Sequence, residues 1–372
     1  MSFFLAGNAL ADATSEFETL LDEHWEWTLR NSPVMASTMG DRRYNQEWGD
    51  YSLAGIEQDH RETRDFLRRA YAIDRNALSD DDKLNHELFR RQLQDEVDAH
   101  QFQDYLLPFD HQGGIQTLDG LTNRLRLTTV QDFDDWLARL SKVDDIIDQT
   151  IELAEAGRKA GLVSPAVLMQ RIPDQISVQV VDFAADSPFF EPFASLPESF
   201  SAADRERLRA AATDVIDDTV LPAYRKLDKY FSKKYLPAAR ESIGLSSLTN
   251  GSAWYEERAR SYTTTRLTPD EIHRIGLDEV KRIREEMQEI IAEVEFEGSF
   301  AEFLTYLRTD PQFYFDNPDD LYQEYLATSK RIDPELVKLF GKLPRMPYGV
   351  KPIPDSIAPD TTTAYYSRPA AD

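Results

Sequence analysis

A mainly α fold, built as an array of several helices, is the class this sequence predicts, and three observations predict it. Apolar residues recur at helical spacing, as Phe17, Leu20, Leu21, Trp25 and Leu29 do, and as Ile272, Ile275, Val280, Ile283, Met287, Ile290 and Val294 do. Capping chemistry stands just before such runs, most plainly in Thr268-Pro269-Asp270-Glu271. Strand signals are few: Met346 to Ile353 and Thr363 to Tyr366 read as short extended segments near the C-terminus, with the character of edge strands.

The elements follow in order. A first helix is expected from Ser15 to the break at Pro33, followed by a turn at Met39-Gly40-Asp41. A second runs from Ser52 to about Ala72. A third starts at Ser79, an N-cap whose next residues, Asp80, Asp81 and Asp82, suit the positive end of the helix dipole. From Tyr105 to Thr129 the chain is irregular, with Pro108, Gly113, Gly114 and Gly120, and a loop of that length often lines or covers a site. Helices resume over Phe133 to Leu140 and Val143 to Ala160, and a shorter one follows Ser164-Pro165. Ser187 to Pro197, rich in Pro and Phe, is expected to be a non-helical connection. Ser201 opens a long helix that bends at Pro222. In Thr268 to Glu271 the threonine caps, Pro269 suits the first turn and Glu271 closes a capping box, so a helix of roughly 40 Å follows. Ser299 with Glu302, and Asn317 before Pro318, open two more. Pro344, Pro347, Pro352, Pro354 and Pro359 then forbid helix.

The 372 residues carry 42 Lys and Arg against 67 Asp and Glu, a formal charge of −25. That field repels phosphate backbones and anionic lipid, which argues against nucleic-acid and membrane-surface partners; it serves solubility or favours cationic and neutral partners. A hydrophobic share of 41% supplies a core, so global disorder is excluded. No apolar run is long enough to span a membrane. With no cysteine, disulfides, thiolate metal sites, cysteine nucleophiles and an N-terminal lipid-bearing Cys are excluded, although the compartment stays open. Phe3-Phe4-Leu5 followed by Ala9-Leu10-Ala11 has a signal-peptidase pattern without its basic leader. Residues 1–11 therefore read either as a signal-peptide remnant of a periplasmic or secreted protein, or as the frayed start of a cytoplasmic one. Residues 12–372 read as a single helical domain.

The chemistry is sparse. A helical zinc hydrolase needs two histidines one turn apart with a Glu beside the first. His86-Glu87 is followed by Leu88, Phe89 and Arg90, and His24 by Thr28 four positions on. His60 and His100 also lack a histidine one turn away. The histidines are thus expected to be isolated surface or capping residues, with no metal ligand, no catalytic residue and no cofactor in this chain. No nucleophile elbow, P-loop or dinucleotide fingerprint occurs. The pairs Asp144-Asp145 and Asp217-Asp218 are expected to face water. Aromatic residues are more suggestive. Trp254-Tyr255, Tyr262 with Arg266, and Tyr365-Tyr366 suit either packing or a peptide groove.

Several of these runs resemble a known family. Gly251-Ser252-Ala253-Trp254-Tyr255, Tyr262-Thr263-Thr264-Thr265 and Leu267 to His273 with Gly276 resemble the signature of the bacterial family catalogued as domain of unknown function 885. Ser32-Pro33 to Met39-Gly40-Asp41-Arg42, Arg139-Leu140, Gly161 before Pro165, and Pro347 to Pro354 leading to Ala364-Tyr365-Tyr366 are similar to it as well. The resemblance runs from about residue 15 to the last residue. It implies a longer, cradle-shaped helical zinc peptidase, often exported or lipid-anchored. Its His-Glu-x-x-Pro-Gly-His motif and a further downstream Glu would follow the Tyr-Tyr segment. This sequence has no such motif, so no metal ligand or general base carries over. The resemblance therefore implies the N-terminal portion of a larger enzyme, inactive alone and supplying part of the peptidase body. Zinc and the C-terminal half are expected in full-length relatives or in a separately encoded partner. Tyr262, Arg266, Tyr365 and Tyr366 would be wall residues of a peptide groove. The rival reading is a non-catalytic binding or scaffold paralogue. A fragment should expose an apolar patch of several hundred Å² or more, and a paralogue should not.

Overall fold

The computed structural model describes residues 2–353, 358 and 362–366, and of residues 2–12 the backbone alone. Sixteen α-helices are described: α1 (Ser2–Asn31), α2 (Pro33–Thr38), α3 (Leu53–Ala72), α4 (Asp80–His100), α5 (Val130–Leu140), α6 (Val143–Ala160), α7 (Ala166–Met169), α8 (Ile172–Ser177), α9 (Glu191–Ala194), α10 (Ala202–Val215), α11 (Leu221–Tyr230), α12 (Gly251–Thr263), α13 (Pro269–Glu293), α14 (Phe300–Thr309), α15 (Pro318–Ile332) and α16 (Leu336–Leu339). None of the described helices is long and apolar enough to cross a membrane. The chain divides into two compact units, one ending at Arg266 and one spanning Leu267–Tyr366.

The capping chemistry acts as the sequence implies. Hydroxyls of Ser79, Ser201, Thr268 and Ser299 accept from the backbone N–H three residues on. Thr268 and Ser299 each close a full box with Glu271 and Glu302, and the Asn317 side chain accepts from Asp319 N. Each cap satisfies a helix-end donor that otherwise has no partner within the helix.

In the first unit, the main core gathers Phe133, Trp136 and Leu140 of α5 with Ile147 of α6, Leu208 of α10, Tyr224 of α11, and Phe189 and Phe193 from the connection before α10. A second cluster joins α1, α3 and α4 through Phe17, Leu20, Phe66, Leu67, Phe89 and Leu93. A third sets Trp254 of α12 beside Leu153, Leu106 and Leu248. Glycine is required where backbones nearly touch. A Cβ on Gly251 would lie 2.0 Å from Leu245 O, and one on Gly157 would lie 2.2 Å from Leu106 O.

Three expectations need correction, and the one at Pro222 gains detail. Ser187 to Pro197 is not free of helix: it forms a 3-10 turn at Pro188–Phe190 and the single turn α9, because Pro188 and Pro192 both occupy first-turn positions that need no N–H. Around Pro222 the helix widens into a π turn over Ile216–Val220, and Pro222 then falls in the first turn of α11. The stretch 105–129 holds a 3-10 segment, Ile115–Arg124, pinned by the buried Tyr224 hydroxyl donating to Ile115 O at 2.7 Å. The C-terminal extended segments form no strand: only isolated bridges, Asp110 to Gly113 and Pro165 to Arg240, occur among the described residues. Prolines deny Met346 to Ile353 a run of ladder donors, and tyrosines hold it instead. Tyr322 donates to Val350 O at 3.0 Å, and Tyr348 donates to Ser329 O at 2.9 Å. Pro354, Pro359 and the side chains of Phe3 to Ala11 lie outside the described residues.

The histidines are also not all surface residues. His86 is fully buried, its Nε2 2.7 Å from Ala70 O. His24 sits edge-on to Phe66 and Phe89, each at 5.0 Å. Burial holds His24 below its ordinary value of 6.5. The unfolded chain therefore takes up that proton more readily than the folded one. His24 contributes stability above about pH 6.5, and that contribution is lost as pH falls through its folded value. A His24→Leu variant is expected to melt with a weaker pH dependence between pH 7 and 5 than the parent, read by circular dichroism.

Candidate functional site

The residues singled out for a peptide groove are placed as follows. Tyr262 lies in the last turn of α12 at 78% exposure, its hydroxyl accepting from Arg258 Nη2 at 3.1 Å while the Arg258 guanidinium covers its ring. Thr264 stops the helix at φ 57°, an uncommon conformation for a β-branched residue. Arg266 follows, exposed, in the first unit. Tyr365 and Tyr366 are exposed and belong to the second.

A site the sequence reasoning did not assemble lies on α5. Thr129 and Asp132 form a capping box, which starts the helix and turns Asp132 inward. Its Oδ2 accepts from Thr128 N at 3.0 Å and Thr129 N at 2.8 Å, and its Oδ1 pairs with Arg42 at 2.7 Å. Burial pushes this carboxyl up, but the two backbone donors, Thr129 and Arg42 outweigh it and hold the group below the usual range. Asp135, Trp136 and Arg139 follow along the same helix.

Arg139 is fully buried. Its Nη2 donates to Ser37 Oγ at 2.7 Å and Tyr44 O at 2.9 Å, tying α5 to the chain on either side of the Met39-Gly40-Asp41 turn. Trp48 lies beneath the guanidinium and donates its indole N–H to Arg139 O at 2.8 Å. Burial brings this guanidinium down to about 10, against the opposing fields of Asp135, Glu47 and Tyr51. Arg139 Nε and Nη1 and Trp136 Nε1 have no hydrogen-bond partner among the described residues. Asp132, Trp136 and Arg139 line a cavity of about 20 Å³ together with Leu125 and Leu127 from the irregular stretch. The signal for this site was present as two separate motif pieces, Ser32 to Arg42 and Arg139-Leu140.

Helix α13 presents a different feature. Residues 273–290 are all exposed. Along one side stand Val280 (66%), Ile283 (42%), Met287 (43%) and Ile290 (53%), continued by Val294 (56%). Three- and four-residue steps place these side chains in one stripe.

No described group of three or more His, Asp or Glu is arranged to hold a metal ion. His60 and His100 stack face to face at 3.7 Å, and His100 Nε2 lies 3.1 Å from Glu57 Oε1. Parallel rings project their lone pairs in parallel and do not converge on one ion.

Comparison with curated proteins gives no match. A solved structure titled "The crystal structure of the putative lipoprotein from Colwellia psychrerythraea" matches with a TM-score of 0.81 and 20% identity. The match covers 100% of this chain and 66% of that one, so this chain spans just under two thirds of that protein's length. At that identity the likeness establishes the mainly α multi-helix fold and nothing more. The family model described as "Bacterial protein of unknown function (DUF885)" matches residues 33–372, nearly the whole chain. This chain, whose Arg42 and Arg139 line one cavity, belongs to that family.

Proposed function

We propose that this chain is the front, non-catalytic portion of a helical zinc-dependent peptidase, with its metal centre supplied by a further polypeptide segment. The observation that carries this reading is the apolar stripe of α13. An amphipathic helix of 25 residues gains its stability by covering such a face, and this one leaves it open to water. The sequence lacks the family's His-Glu motif, and the described residues do not fit a zinc centre. No hydrolytic step is therefore assigned to them. In the complete assembly, zinc would activate water, while Tyr262, Arg266, Tyr365 and Tyr366 would line the wall against which a peptide lies. Export to the periplasm or beyond is proposed alongside, in keeping with the printed description of the solved relative.

The test is to purify the chain, measure zinc by elemental analysis, and titrate it with a dye that fluoresces on exposed apolar surface. The expected result is far less than one zinc per chain, strong dye binding and no chelator-sensitive peptidase activity. Co-expression with a segment carrying the His-Glu motif should then suppress dye binding and confer that activity. Stoichiometric zinc with peptidase activity in the chain alone would overturn the reading. A monodisperse protein with little dye binding would favour the scaffold paralogue.

A further inference from the structure

Helix α13 leaves open a seam whose spacing and charge specify what fits it. Val280, Ile283, Met287, Ile290 and Val294 follow one another in alternating steps of four and three, the spacing of the inner positions of a coiled coil, and all are exposed. A seam of this period forms the ridges and holes that receive the side chains of a second α-helix.

The two flanks of the seam differ. On one, Ile291 is buried and the Arg284 guanidinium lies 3.7 Å from the Phe300 ring at the start of α14. That side is already taken by the chain entering α14. Along the other stand Glu279, Glu286 and Glu293, one every seventh residue and so on one face, with Glu289 behind them. Arg282 pairs with Glu279 at 2.7 Å and with Glu286 at 2.6 Å, so on this side of α13 four carboxylates stand with one guanidinium. We infer that the seam docks one amphipathic α-helix of another polypeptide segment, with Lys or Arg on the side that faces the glutamates. A second copy of this chain fits poorly. Laid antiparallel, its glutamates would oppose these; laid parallel, they would have to enter the side that the chain into α14 occupies. The inference rests on the reading that a further segment covers α13. It adds that segment's shape and charge, and holds whether or not the segment carries zinc.

The test measures the binding of two synthetic helices of about 25 residues to the full chain by fluorescence anisotropy. The two share an Ile/Leu seam and differ only at the flanking positions, Lys in one and Glu in the other. The Lys helix is expected to bind one per chain, about tenfold more tightly than the Glu helix, with the difference shrinking at about 1 M salt. Glu279→Lys with Glu286→Lys should reverse the preference, which general attraction to an acidic protein would not do. Ile283→Asp with Ile290→Asp should abolish the binding of both. Equal affinities, a preference unchanged by the charge reversal, or dimerisation of the chain through α13 in sedimentation overturns the inference. The peptidase reading fails separately. If the Lys helix binds as expected and a motif-bearing segment confers no activity, the docking surface stands without that reading. If such a segment confers activity and neither helix binds, the peptidase reading stands and this inference falls.

Discussion

Arg139→Ala is expected to lower the free energy of unfolding by about 3–5 kcal/mol, read by urea denaturation. Three losses combine. The side chain is fully buried, so its removal leaves a hole over the Trp48 ring in a close-packed region. Ser37 Oγ and Tyr44 O lose their donor in a place where water does not readily replace it. The segment carrying Ser37 and Tyr44 then loses its tie to α5. Arg139→Met separates these effects, because it refills most of the volume and restores no donor. It is expected to cost about 1–2 kcal/mol, the share owed to the unpaired acceptors. Equal losses in both variants would mean that hydrogen bonding dominates and volume does not. An Ala variant as stable as the parent would show that the junction holds nothing together.

Ile283→Asp combined with Ile290→Asp is expected to leave the melting temperature of the isolated chain nearly unchanged, because both side chains are already half exposed. The same double variant should bind markedly less apolar-surface dye. It should also weaken association with a motif-bearing segment by about a thousandfold, since two buried carboxylates at an apolar interface cost about 4 kcal/mol together. Native-state binding assays with parent and variant would measure this. A collapse in melting temperature would mean that the stripe is already packed in the isolated chain. Unchanged association would place the docking surface elsewhere and remove the main support for the proposed assembly.

Much of the architecture was legible from local chemistry. Thr268, Ser299 and Ser79 marked helix starts because a hydroxyl accepts from an N–H only three residues away, and nothing distant is needed. The failures came where position in space decides the outcome. At Pro222 the sequence pointed to a bend, but only the structure shows the π turn, Ile216–Val220, that comes just before it. His86 looked like a surface residue, yet it is buried against Ala70 O. Met346 to Ile353 looked extended enough to pair, yet no neighbouring strand is present among the described residues, and tyrosine hydroxyls anchor it.

By itself, the sequence determined the helical class, the family, and the lack of a His-Glu metal motif, because each is written in residue spacing that holds in any fold. Only the tertiary structure decided that Ser37, Arg42, Asp132 and Arg139 surround one cavity. Those residues are about a hundred positions apart at their extremes. Their pairing depends on burial and on directional hydrogen bonds, quantities that come into being only when the chain has closed around them.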